Sequence, residues 1–199
     1  LGFPLVAHAT VSPLTTSDTH GWRIIRWSLS FLLGKALHTI FPSVSYRVRH
    51  SMGNGLFCTA EWPAGSDHAA HVARIQAEME ALIAADTPIE YDIVSYADAL
   101  RLFESSHQFD KLHLLNHRNP PYIAIIRCGQ FFDLAQEPIV HRAGLLKPFD
   151  LIPYESGMVL RLPLPSQPNQ LGDWSPNPKL FAVYQEHIAW GRILGVTSV

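Results

Sequence analysis

The most restrictive stretch of this chain is residues 122–128, where Tyr, Ile, Ala, Ile, Ile, Arg and Cys follow Asn119-Pro120-Pro121 and precede Gly129. The prolines stop any helix and the glycine permits a turn, so the run is bounded at both ends as a strand. Apart from Arg127 it is apolar on both faces, a pattern that suits a central strand covered on each side by helices. The chain must then supply other strands and the covering helices. Val44, Tyr46 and Val48 alternate with Ser45, Arg47 and Arg49 as a half-buried strand. Ser51-Met52-Gly53-Asn54-Gly55 carries the turn chemistry that returns residues 56–59 as a hairpin partner. Ile89, Tyr91 and Ile93 alternate as a further strand, and residues 145–152 and 158–164 read as two more, joined at 153–157.

Helices are marked by a different period. Leu29, Leu33, Leu37 and Ile40 form one apolar stripe in a helix expected to begin near Trp27 or Ser28 and to end at Pro42. Val72, Ile75, Met79, Leu82 and Ile83 form another, with Ser66 expected as its cap. Ser95 and Asp98 resemble a capping box that starts a short helix anchored by Leu100 and Phe103, and residues 109–115 make a second short one. A final helix over 179–193 is expected to pack through Phe181, Tyr184, Ile188 and Trp190, after a proline-rich surface loop at 165–178. Hairpins mixed with helices imply an α+β class: an antiparallel or mixed sheet packed against helices.

A chain of 199 residues is long enough for one good core without metals or disulfides. Only 16% of residues are charged, lean for a fully solvated surface, so a neighbouring domain or partner is expected to cover part of it. The net charge of -2 leaves cations dispersed, with Arg47, Arg49 and His50 the nearest thing to a patch. Phosphate-backbone binding needs them concentrated, so a noncatalytic RNA-binding role has little support. Cys58 and Cys128 form no CxxC pair, and an intracellular, reduced, cytoplasmic chain without membrane association is expected. The opening at Leu1, without Met, reads as a segment of something larger.

The chemistry-bearing motifs are mostly missing. There is no GxxxxGKS/T phosphate cradle and no GxGxxG, so phosphoryl transfer is not expected within these residues. His113 and His117 are spaced i,i+4 and His68 and His71 i,i+3, but neither pair has the further ligands of a zinc site, and no metal is expected. Cys128, before Gly129, is the candidate nucleophile, with His50 or His141 as candidate partners. Cys58 reads as a small buried hydrophobe. Arg142-Ala143-Gly144 is a further polar spot near a loop.

These residues carry a resemblance. Ser28-Leu29-Ser30-Phe31-Leu32-Leu33 with Phe41-Pro42, the run His50 to Cys58, Asp110-Lys111, Cys128-Gly129, Phe149-Asp150-Leu151 and Lys179-Leu180-Phe181 resemble, in order, the N-terminal region of uridine kinase-like proteins. That region resembles the second additional domain of threonyl- and alanyl-tRNA synthetases. The resemblance implies a synthetase-editing-like α+β domain over 21–199, with 1–20 an edge strand or the remnant of a TGS-like β-grasp module. A P-loop kinase domain, with its ATP and Mg, would adjoin it as a partner.

The synthetase relatives hydrolyse mischarged aminoacyl esters with a helical HxxxH pair and CxxxH. Here the first pair corresponds to Trp27 and Phe31 and the second to Cys128 and Phe132, so one polar group of four survives. The rings either pack the core, the favoured reading, or line a flat pocket for a nucleoside-related molecule. Such a ligand site would comprise Trp27, Phe31, His50, Cys128, Phe132 and Arg142. The implied function is a noncatalytic accessory, ligand-binding or regulatory domain. The alternative is a hydrolytic editing-type domain.

Overall fold

The computed structural model describes residues 8, 10–63, 65–117, 120–135, 138–165, 167–174, 176 and 178–195. The chain runs α1 (Thr19–Ile40), β1 (Tyr46–Met52), β2 (Gly55–Ala60), α2 (His68–Ala84), β3 (Glu90–Ser95), α3 (Tyr96–Ser105), α4 (Phe109–Asn116), β4 (Tyr122–Cys128), β5 (Phe131–Leu134), β6 (Asp150–Tyr154), β7 (Gly157–Arg161), β8 (Pro163–Leu164), β9 (Gln167–Leu171) and α5 (Pro178–Ile193). Every pairing among the described strands is antiparallel, so the α+β expectation holds in its antiparallel form. The strands form sheets in the orders β1-β2-β7-β6, β3-β4-β5 and β8-β9.

The apolar run at β4 is the middle strand of its sheet and is covered on both faces. Ile126 and Cys128 join the main core with Leu29, Leu33 and Leu37 of α1 and Val72, Ile75 and Met79 of α2. Ile123 and Ile125 point into a second cluster with Phe103 of α3 and Leu115 of α4. A third cluster, Met52, Phe57 and Val159, is packed by Leu180, Phe181 and Tyr184 of α5. Phe181 and Tyr184 serve α5 as expected, but Trp190 does not: it is 54% exposed.

Several boundaries differ from the sequence reading for local reasons. Helix α1 begins at Thr19 rather than near Trp27, because Asp18 caps it with extended backbone and its carbonyl receives Trp22 N–H at 2.8 Å. Of the edge strand or β-grasp remnant expected over 1–20, residues 10–18 form no strand, and residues 1–7 and 9 lie outside the described residues. Asp67, not Ser66, caps α2, accepting from Ala70 N, while the Ser66 hydroxyl donates to Pro63 O. The Ser95 cap on α3 is present, accepting from Asp98 N at 3.1 Å. The segment after Gly129 contains β5, which its pattern does not reveal. Residues 143–145 form a 3-10 turn, so the following strand starts only at Asp150. The expected proline-rich loop contains β9, which pairs with β8 just before it. Tyr91 and Ile93 alternate as read, yet they are 60% and 61% exposed.

Helix α1 seats closely on β1. A Cβ at Gly34 would lie 2.2 Å from the Tyr46 hydroxyl and 3.4 Å from the Phe131 ring. Gly34→Ala is expected to lower the unfolding free energy by about 1–3 kcal/mol, since a close-packed core absorbs an added methyl only by displacing its neighbours. Urea unfolding with an unchanged m-value and a reduced midpoint checks this.

Candidate functional site

Two of the four motif positions, Phe31 and Cys128, enter the main core with Phe131 where α1 crosses the β4–β5 hairpin. Phe31 is 6% exposed, and its ring lies 5.4 Å from Phe131. Two turns further along α1, His38 approaches the same ring at 5.3 Å. Strand pairing places Cys128 opposite Phe131, so both side chains enter the main core on one face of the sheet. Phe132 points to the other face. It packs against Phe103 at 5.4 Å and beneath the Arg127 guanidinium at 5.3 Å, and its carbonyl accepts from the Gln108 side chain. The structure brings Phe31, Phe131 and Cys128 into one core and puts Phe132 in another. Register at a two-residue turn through Gly129 (φ 61°) decides which phenylalanine enters the cleft.

Trp27, one turn before Phe31, stays at the surface and is 39% exposed. It borders a shallow groove with Leu14, His20, Arg23, Ile24 and Pro138. The wall of this groove is fixed by Ser28, which is fully buried: its hydroxyl donates to Ile24 O at 2.7 Å and accepts from Val140 N at 2.9 Å.

The thiols lack the environment of a nucleophile. Cys128 and Cys58 are free and fully buried. Burial pushes the Cys128 thiol pKa up, only partly opposed by the charge of Lys35, and pushes Cys58 up to about 12. A reactive cysteine needs the reverse, an exposed thiol with a depressed pKa. The Tyr46 hydroxyl beside them is likewise held protonated, chiefly by burial and then by the charge of Asp133. That carboxylate pairs with Lys111 at 2.9 Å.

The other sequence candidates lie on separate elements. His50, on β1, belongs with the α5 cluster: its ring is 4.8 Å from Tyr184 and 5.3 Å from Phe57. His141 has an exposed side chain, and its carbonyl accepts from Ile89 N. Arg142 pairs with Asp86 at 2.6 Å, and the same carboxylate accepts from Gly144 N at 3.0 Å. A Cβ at Gly144 would meet Asp86 Oδ1 at 2.5 Å, so Arg142-Ala143-Gly144 is a backbone clamp. The His113 and His117 rings do meet, at 5.1 Å. Among the described residues no group of three His, Cys, Asp or Glu side chains is placed to hold a metal ion. No described helix is long and apolar enough to cross a membrane.

Arranged this way, the cleft is a ring-packed seam with a Trp-rimmed groove at its edge, a geometry for packing and stacking rather than for activating water. No protein-family model matches the chain. Over most of its length it is similar to a segment of threonine–tRNA ligases. That of Lawsonia intracellularis is 32% identical over 144 residues, covering 71% of this chain and 22% of the relative. Those of Solidesulfovibrio magneticus and Maridesulfovibrio salexigens are 31% identical over 156 residues and 27% identical over 144, covering 24% and 22% of each relative. The chain thus spans about a fifth to a quarter of the curated relatives it matches. The fold is that of a synthetase-like accessory domain.

Two measurements follow from this packing. Neither thiol should react with an aromatic disulfide reagent in the folded chain, and both should react once it unfolds; rapid labelling of Cys128 in the native state would contradict its burial. Burial also lowers the His50 pKa below its ordinary 6.5. The unfolded chain then takes up the proton first on acidification, so this contribution to stability is complete above about pH 6.5 and declines as the pH falls towards the folded pKa. His50→Phe should flatten that decline, read as urea midpoints on either side of the window.

Proposed function

We propose that this chain is a noncatalytic accessory domain of a larger protein, built on a synthetase editing-type scaffold whose hydrolytic centre has been replaced by aromatic packing. The observation that carries this reading is the seam itself. Where the resemblance calls for imidazoles, Phe31 packs on Phe131 and Trp27 turns outward, leaving Cys128 fully buried and its thiol protonated. Zinc or an attacking water would need several polar groups held at fixed geometry around an open position.

The domain's role is binding or positioning. The groove beside Trp27 offers one flat ring with His20 and Arg23 at its border. That combination suits a nucleotide-related ligand, with the base stacked on the indole and the phosphate near the Arg23 guanidinium. The similarity to threonine–tRNA ligases supports a synthetase-like scaffold. The order of the sequence motifs supports a uridine kinase-like parent, in which ATP- and Mg-dependent phosphorylation would belong to the adjoining domain. In either setting the domain works in the cytoplasm and does not bind RNA unspecifically, its cations being dispersed.

Mischarged aminoacyl-tRNAs incubated with the chain should deacylate no faster than in buffer. Turnover that disappears in Cys128→Ala would overturn the noncatalytic reading in favour of editing-type hydrolysis. Nucleoside monophosphates should quench tryptophan emission saturably, with the effect lost in Trp27→Ala; no saturable quench would remove the ligand.

A further inference from the structure

Four buried side-chain nitrogens among the described residues have no hydrogen-bond partner. Three of them, Trp62 Nε1, His68 Nε2 and His71 Nδ1, belong to one cluster of rings. Trp62 follows β2, and His68 and His71 stand in the opening turns of α2. The indole lies 6.0 Å from the His68 ring and 5.1 Å from the His71 ring, centroid to centroid. Phe41 closes the cluster at 5.4 Å from Trp62 and 4.8 Å from His71, and the Arg74 guanidinium sits 4.9 Å over Phe41. Folded proteins pair nearly all sealed polar groups with protein, water or an ion, and leaving three unpaired in one place is costly.

The donors define the guest. An indole N–H can only donate, whereas an imidazole nitrogen donates or accepts according to its tautomer. A metal ion would leave the indole unsatisfied, and no third ligand of the His, Cys, Asp or Glu type is placed to complete its shell. A group presenting several acceptor oxygens can accept from an indole N–H and from imidazole N–H groups together. The charge around the cluster agrees with an anion: Arg74 lies at its edge, and the positive end of the α2 dipole is adjacent. The Asp67 carboxylate at the same end is occupied as the helix cap, accepting from Ala70 N at 3.1 Å, and its charge holds the affinity down.

We propose that Trp62, His68 and His71 form a binding site for a small oxyanion, a carboxylate or phosphate group, separate from the filled cleft at Phe31. Both chemistries share the acceptor oxygens; they differ in charge and shape. The titration uses the whole chain, labelled with nitrogen-15, and follows the Trp62 indole N–H and the His68 and His71 rings with inorganic phosphate in one arm and acetate in the other. A saturable shift of the indole resonance is expected with one of them, half complete at a concentration of about a millimolar. The anion that saturates identifies the source. Trp62→Phe keeps the ring stack and removes the donor, so apparent affinity read from the histidine rings should fall about tenfold or more. His71→Gln is the second variant, with the same expected loss, should Trp62→Phe fail to fold. No saturable shift with either anion overturns the proposal and assigns the three nitrogens to buried water. Binding that persists unchanged in either folded variant overturns it as well.

Discussion

The close approach of α1 to β1 and β5 is the contact on which the remaining architecture depends. Gly34 leaves room for the Tyr46 hydroxyl and the Phe131 ring, and one turn earlier Phe31 fills the space beside that same ring. With α1 held there, Ser28 can capture Val140 N and draw the segment after β5 across the helix. The Leu29, Leu33 and Leu37 stripe then meets α2 in the main core. Each buried leucine or phenylalanine contributes about 1.5–3 kcal/mol. This one helix therefore carries much of the stabilisation, and its polar replacement at Phe31 would have to be offset elsewhere.

That packing also underlies the proposed noncatalytic role. A hydrolytic centre needs a solvated space with converging polar groups, whereas rings meeting at 5.4 Å leave neither the space nor the partners. Burial of Cys128 then works against the thiolate by desolvation, which the nearby Lys35 does not overcome. Among the described residues, the buried side-chain nitrogens without a hydrogen-bond partner are elsewhere, at His50 under α5 and in the ring cluster around Trp62. The unsatisfied buried nitrogens among the described residues therefore lie apart from the motif positions at Phe31, Cys128 and Phe132.

Exposure is distributed in the same uneven way. Tyr91, Ile93 and Tyr122 on the β3–β4 sheet, and Val183, Trp190 and Ile193 on α5 with Leu194 just beyond it, are all more than half exposed. A chain with so few charges was expected to have surface suited to a neighbour, and these two groups of exposed apolar side chains are consistent with that. The alternation of Tyr91 and Ile93 correctly signals a strand, but period alone does not say that a covering layer exists.

Local physics was legible without the structure. Helical stripes, the Gly53-Asn54 turn, the Ser95 cap and the doubly apolar strand at 122–128 each depend on residues close in sequence, and each appears in the fold. That aromatic residues stand at three positions where the resemblance implies imidazoles is likewise a matter of the sequence alone. The tertiary structure alone decided which rings fill the cleft. Phe131 enters it and Phe132 leaves because Cys128 pairs opposite Phe131, and successive strand residues face opposite sides. Neither neighbour carries a signal of its own, since register is set by pairing across a turn. The clustering of Trp62, His68 and His71 with Phe41 was equally invisible, because proximity between the end of one helix, a strand exit and the start of another helix exists only once the core has brought them together.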